Sequence, residues 1–170
     1  YDDDEEEDDK KGGFLFGLVC ASLACWACRV RMVPVPARSD SRPGRRTCAI
    51  IWNPSKVVDR SSFHRSLEWE LDAHGWNDPL WLQTRPDDAG REMTRTAIEM
   101  GVDLVLVAGG DGTVRVVCSE LANTGIPVGI IPAGTGNLLA RNLGIPLDEV
   151  AAARVAFGGH ARPIDLVKVT

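Results

Sequence analysis

Two short glycine-rich stretches hold most of the residues that could do chemistry. GGDGT, residues 109–113, sets one carboxylate, Asp111, and one hydroxyl, Thr113, among Gly109, Gly110 and Gly112. GTGN, residues 134–137, adds Gly134, Thr135 and Asn137. Glycine lets the backbone come close to a ligand because no Cβ intervenes, and successive N–H groups in such turns form a concavity that takes anions. Both turns run into predicted helix starts, where the helix dipole favours negative charge. Phosphate is the guest these turns suit. Asp111 is the odd member, since a carboxylate beside phosphates is repelled unless a cation such as Mg2+ lies between them, directly or through water. On local grounds Asp111 could equally cap the helix that follows it. A cap accounts for one aspartate in one turn and leaves the second turn unexplained.

Other phosphate motifs do not occur. There is no G-x-x-x-x-G-K-[ST], so this is not a P-loop. A dinucleotide-binding G-x-G-x-x-G fails as well, because Leu139 stands where the third glycine would be and the turn follows the fourth predicted strand rather than the first.

These turns must be held by an alternation of strands and helices. CAIIW (48–52), LWLQT (80–84), DLVLVA (103–108) and PVGIIPAG (127–134) read as strands with their turns, the continuous apolar runs being those of a parallel sheet buried on both faces. PIDLVKV (163–169) reads as a final strand. Helices are predicted over 60–74, with Phe63, Leu67, Trp69 and Leu71 near helical spacing and Gly75 ending it, from Pro86-Asp87-Asp88 to Met100, and over 113–123, 137–143 and 147–157. Such βα repetition implies a three-layer α/β domain with a mostly parallel sheet. Its strand ends bring Asn53, Thr84, the 109–113 turn and the 134–137 turn to one edge, where open sheets bind ligands.

The net charge of −5 misleads, because residues 2–9 are all acidic and hold 8 of the 24 carboxylates. Residues 12–170 carry 16 acidic and 17 basic side chains, so no basic surface argues for nucleic acid. Residues 1–11 read as an acidic disordered segment. Residues 12–28 carry no charge and, as a helix, would span about 25 Å. Arg29, Arg31, Arg38, Arg42, Arg45 and Arg46 follow them, so a single transmembrane helix with its carboxyl side cytoplasmic is expected. A cleaved secretory signal is the rival. Residues 29–47, rich in proline and arginine, read as a linker. Cys25 and Cys28 form a C-x-x-C inside the apolar run, where cysteine acts as a small hydrophobe; no disulfide framework or metal cluster is visible. His64, His74 and His160 are expected to be solvated, and Trp52, Trp69, Trp76 and Trp81 to be packing residues.

The paired motifs carry a resemblance. GGDGT with PAGTGNLLAR at 132–141 and Asn53-Pro54 after the first strand resembles the catalytic domain of the diacylglycerol kinase and sphingosine kinase superfamily, most closely its bacterial lipid kinases. GGDGT alone would also admit phosphofructokinases and NAD kinases. Over residues 48–170 the resemblance implies a phosphofructokinase-like nucleotide-binding domain with ATP and Mg2+ in the crevice. Asn53, Pro54, Ser55, Lys56, Val57, Thr84, Gly109, Gly110, Asp111, Gly112, Thr113, Val114, Arg115, Gly134, Thr135 and Asn137 would then contact the nucleotide or shape its turns. It makes Asp111 the catalytic residue and the organiser of the metal. The reaction implied is transfer of the γ-phosphoryl group of ATP to a lipid hydroxyl, most naturally that of diacylglycerol, in a protein of the bacterial cell membrane with its kinase domain cytoplasmic. A homodimer is compatible with this reading.

Two departures stand against it. Arg115 and Val116 occupy places where the family often has Asn and Glu. The family also has a second, β-rich domain bearing the catalytic base, which would begin near Thr170. An NAD kinase-like enzyme acting on a soluble substrate and a silent nucleotide- or lipid-binding module are the alternatives.

Overall fold

The computed structural model describes residues 28–32 and 46–166. Its elements run β1 (Cys28–Met32), β2 (Cys48–Trp52), α1 (Arg60–Ala73), β3 (Leu80–Gln83), α2 (Arg91–Glu99), β4 (Leu104–Gly109), α3 (Asp111–Leu121), β5 (Val128–Pro132), α4 (Leu138–Asn142), α5 (Glu149–Gly158) and β6 (Arg162–Leu166). They form one sheet of order β3-β2-β4-β5-β1-β6, parallel except for β6, which pairs antiparallel with β1.

Every residue of β2, β4 and β5 is buried, as continuous apolar strands require when helices cover both faces. Alternation along the strands assigns the faces. Ala49, Ile51, Val105 and Val107 pack with Met93 and Ala97 of α2 and Val117 and Leu121 of α3. Cys48, Ile50, Leu104 and Leu106 pack with Phe63, Leu67 and Leu71 of α1 and Ala153 and Phe157 of α5. The result is the three-layer α/β arrangement expected, with its strand order reversing at β2.

Expectations for the segment before β2, for Trp69 and for His64 change. Arg29 to Met32, read as linker, continue the strand that Cys28 opens, so the linker cannot begin at residue 29. Residues 12–27, most of the expected transmembrane helix, lie outside the described residues. Among those described, no helix is long and apolar enough to cross a membrane. Strand β1 pairs with β5 at Met32 and Val128, and over its full length, from Cys28 opposite Leu166 to Met32 opposite Arg162, it pairs with β6.

Trp69 is 63% exposed rather than packed, and Glu70 is buried in its place. The core stripe of α1 is Phe63, Leu67, Glu70 and Leu71, and Trp69 lies two residues past Leu67, about 200° around the helix at 3.6 residues per turn. The Glu70 carboxylate is held by Arg154 of α5, Nε to Oε1 2.6 Å, which ties the two helices of that layer together. His64 is half-buried rather than solvated, its ring stacked on Trp81 with centroids 3.8 Å apart.

Candidate active site

The carboxyl ends of four neighbouring strands meet at one edge, and backbone hydrogen bonds carry the ladder into the loops that follow. Thr84 N–H donates to the Trp52 carbonyl at 2.9 Å, Asn53 N–H to Ala108 at 2.9 Å, and Ala133 N–H to Gly109 at 3.3 Å. With strands about 4.8 Å apart, Thr84, Asn53, Gly110 and Gly134 leave the sheet side by side. Because β3 lies on one side of β2 and β4 on the other, the loops after β2 and β4 part at the strand-order reversal, where open α/β sheets form their crevice.

Glycine is demanded here by backbone-to-backbone contact. A Cβ on Gly134 would lie 2.6 Å from the Gly110 Cα, so the two turns touch with no room for a methyl group. A Cβ on Gly109 would meet the Thr113 Cβ at 2.9 Å; Thr113 is buried beneath the turn it follows. Helix α3 starts immediately after Gly110, which offers no side-chain cap.

Asp111 caps neither its own helix nor an empty space. Its Oδ1 accepts the N–H of Leu138 at 2.8 Å, at the start of α4 and 27 residues along the chain. A Cβ on Gly136 would come within 2.6 Å of its other oxygen, so the carboxylate lies flat against the second turn. Asn137 takes the left-handed conformation, φ 49° and ψ 42°, which non-glycine residues adopt at a cost and asparagine adopts most readily. Its side chain closes the turn in both directions: Oδ1 accepts from Gly134 N–H at 3.0 Å and Nδ2 donates to the Gly134 carbonyl at 2.7 Å.

On the other side of the crevice, the Asn53 side chain accepts from the Ser55 N–H and hydroxyl at 2.9 and 2.7 Å, fixing a tight turn after Pro54. Ser55, Lys56, Arg115 and Thr135 are exposed. Val57 and Val114 are buried in the core, and Thr84 is buried beside Gly90, so these three support the edge from within. Thus the structure brings the four predicted loops together, but divides their residues between an exposed rim and a packed base. Among the described residues no group of three His, Cys, Asp or Glu could hold a metal ion. One carboxylate with nearby hydroxyls still suits Mg2+, which keeps several waters and binds through one or two carboxylates plus substrate phosphates.

Sequence reasoning missed Arg141, whose guanidinium bonds into the second turn, Nε to the Gly136 carbonyl at 3.0 Å. A basic residue on the first turn after GTGN was the available signal.

Residues 48–169 match the diacylglycerol kinase catalytic domain family. The chain is 36% identical over 126 residues to a diacylglycerol kinase of Bacillus subtilis (strain 168), covering 71% of this chain and 41% of that protein. It is 45% identical over 80 residues to a diacylglycerol kinase of Mycobacterium tuberculosis (strain ATCC 25618 / H37Rv), covering 46% and 26%. Among solved structures, a diacylglycerol kinase from Bacillus anthracis str. Sterne superposes with a TM-score of 0.54 at 32% identity, over 68% of this chain and 40% of that one. The chain therefore spans about two-fifths of these longer matches. Its paired glycine turns, their place at the strand-order reversal and the match over 48–169 together make this chain a member of the diacylglycerol kinase-like lipid kinase superfamily.

Proposed function

We propose that this domain binds ATP with Mg2+ at the carboxyl edge of its sheet and serves transfer of the γ-phosphoryl group to a lipid hydroxyl, most naturally that of diacylglycerol. The observation that carries the proposal is the contact of Gly110 with Gly134, which sets the two glycine turns against each other at the carboxyl edge of the sheet. The N–H groups that open α3 have no side-chain cap and are placed to receive phosphate oxygens. Exposed Thr135, Lys56 and Arg115 add a hydroxyl and two cations at the rim, and arginine suits phosphate through its planar fork of donors.

Transfer forms a bond from the acceptor oxygen to the γ-phosphorus and breaks the bond to the bridging oxygen, releasing ADP. The hydroxyl proton passes to a base, which the family resemblance assigns to the β-rich domain. Asp111 would hold the Mg2+, through water or by its free oxygen, and the ion would supply neutralisation of the phosphate charge. The chain's own contribution is position: turns held by packing and by Asn137 bind the phosphates without rearranging, which is where phosphoryl-transfer catalysis chiefly lies. The uncharged residues 12–28 and the arginines after them support attachment to the cytoplasmic face of the membrane, although β1 enters the sheet at the edge opposite the glycine turns.

The test is transfer of labelled γ-phosphate from ATP to diacylglycerol in mixed micelles by the product of the complete reading frame, with calorimetric titration of MgATP into the present chain. Labelled phosphatidic acid and saturable MgATP binding are expected. A folded protein that binds MgATP but labels no hydroxyl lipid would sink the lipid half of the proposal.

A further inference from the structure

Asn137 is the strained residue of the site, and the two peptides on either side of it are each held by a charged side chain. The N–H of the following peptide, at Leu138, is taken by Asp111 at 2.8 Å. The carbonyl of the preceding peptide, at Gly136, is taken by the Nε of Arg141 at 3.0 Å. Asn137 can rotate out of its left-handed conformation only if these peptides turn, and both are pinned. We propose that Arg141 is a positioning residue of this site: it holds the Gly136 carbonyl, keeps Asn137 left-handed, and so fixes the second glycine turn in the shape that receives phosphate.

An exposed arginine near the end of a helix usually does something simpler. It pairs with a carboxylate or bonds the last carbonyls of its own helix. Arg85, Arg91, Arg95 and Arg154 do pair with carboxylates, those of Glu92, Glu120 and Glu70. Arg141 differs from them on both counts. It has no carboxylate partner among the described residues, and its Nε bond runs back to a carbonyl that precedes α4. Helix α4 is only five residues long, Leu138–Asn142, so its own hydrogen bonds hold the turn weakly. The carbonyl bond is charge-assisted and leaves the outer N–H groups of the guanidinium unspent.

The inference rests on the nucleotide-binding reading above, and its test separates the two. Amide hydrogen exchange followed by NMR and calorimetric titration of MgATP are measured on the parent chain, Arg141→Ala and Arg141→Lys. Lysine keeps the charge but lacks the Nε donor and the fork. Both variants are expected to speed exchange at the Leu138 amide about tenfold or more and to weaken MgATP about tenfold. Slow exchange at Val105 and Val107, in the middle of β4, would show that the sheet is intact. Parent-like Leu138 exchange and affinity in Arg141→Ala would overturn the proposal while leaving the nucleotide reading standing. Full recovery in Arg141→Lys would overturn it too, because charge alone would then suffice. A parent chain that binds no MgATP would end the nucleotide reading, and Leu138 exchange would still decide whether Arg141 holds the turn.

Discussion

The helix starts on the flanks of this domain and the helix start inside its crevice use aspartate differently. Asp59 accepts the Ser62 N–H at the head of α1, and Asp148 accepts the Ala151 N–H at the head of α5. Asp88 takes the N–H groups of Gly90, Arg91 and Glu92 before α2. In all three the carboxylate satisfies donors of the helix it precedes, which is stabilising and complete in itself. Asp111 stands in the first turn of α3 and gives its carboxylate to α4 instead, so α3 keeps its donors and two distant turns are tied together. A flank spends its polar groups on its own backbone; the crevice leaves some for a ligand.

Two glycines of β5 and its loop break or sharpen this contrast most strongly. At Gly129, inside the sheet, a Cβ would meet the Leu106 Cδ2 at 2.5 Å and the Ala156 Cβ at 2.8 Å; at Gly134 it would meet the Gly110 Cα at 2.6 Å. Both are equally crowded, but one lies under a helix and the other in the site. Overpacking costs about 1–3 kcal/mol. Gly129→Ala should take that from unfolding free energy in urea and leave MgATP affinity as it was. Gly134→Ala should part the turns and weaken MgATP by about 10- to 100-fold, at about 1.4 kcal/mol per tenfold. Equal loss of affinity in both variants would erase the distinction between frame and site.

Much of that frame is legible in the sequence, and the reason is physical. Strands buried on both faces must be continuously apolar, so residues 48–52 and 104–108 announce themselves, and glycine turns after them mark the edge. What is not legible is any contact set by tertiary approach. No local pattern says that Asp111 reaches Leu138, 27 residues along the chain. Glu70 escapes for a similar reason: its partner, Arg154, is 84 residues away. Cys28–Met32, CRVRM, does alternate apolar and charged residues as a half-buried strand should, but the prolines just beyond it favour a linker reading.

Substitution at Asp111 and Asp148 tests the contrast at the next scale. Losing a capping carboxylate typically costs about 1 kcal/mol. Asp148→Ala should lower stability by about that much with no change in MgATP affinity. Asp111→Ala should do the reverse, weakening MgATP about tenfold with a smaller change in the urea midpoint. Asp111→Asn then divides the two roles of the residue. Asparagine keeps an oxygen for the Leu138 N–H but loses the charge. If holding α4 is its main contribution, the variant should bind like the parent; if the charge serves the metal, it should bind as poorly as alanine. Titrating MgATP against each decides between them.

The smallest effect belongs to Asp88, and it should appear only in acid. Burial works against its charge, but bonds from the N–H groups of Glu92, Gly90 and Arg91, with Arg85 nearby, outweigh it and hold the carboxyl below its ordinary 3.8. In the unfolded chain those bonds are gone and the group returns to about 3.9. Between the two values the unfolded chain binds more protons, so stability rises with pH there. The contribution is therefore complete above about pH 4 to 5 and is lost as pH falls through the folded value. Urea unfolding of the parent and of Asp88→Asn from pH 6 down to 2 should show a gap, small because solvent screens this carboxylate, that narrows as pH falls below about 4. A gap that stays constant to pH 2 would mean that the charge of Asp88 contributes nothing to the cap. The flank aspartates would then act through geometry alone, and the difference from Asp111 would rest on where each carboxylate points.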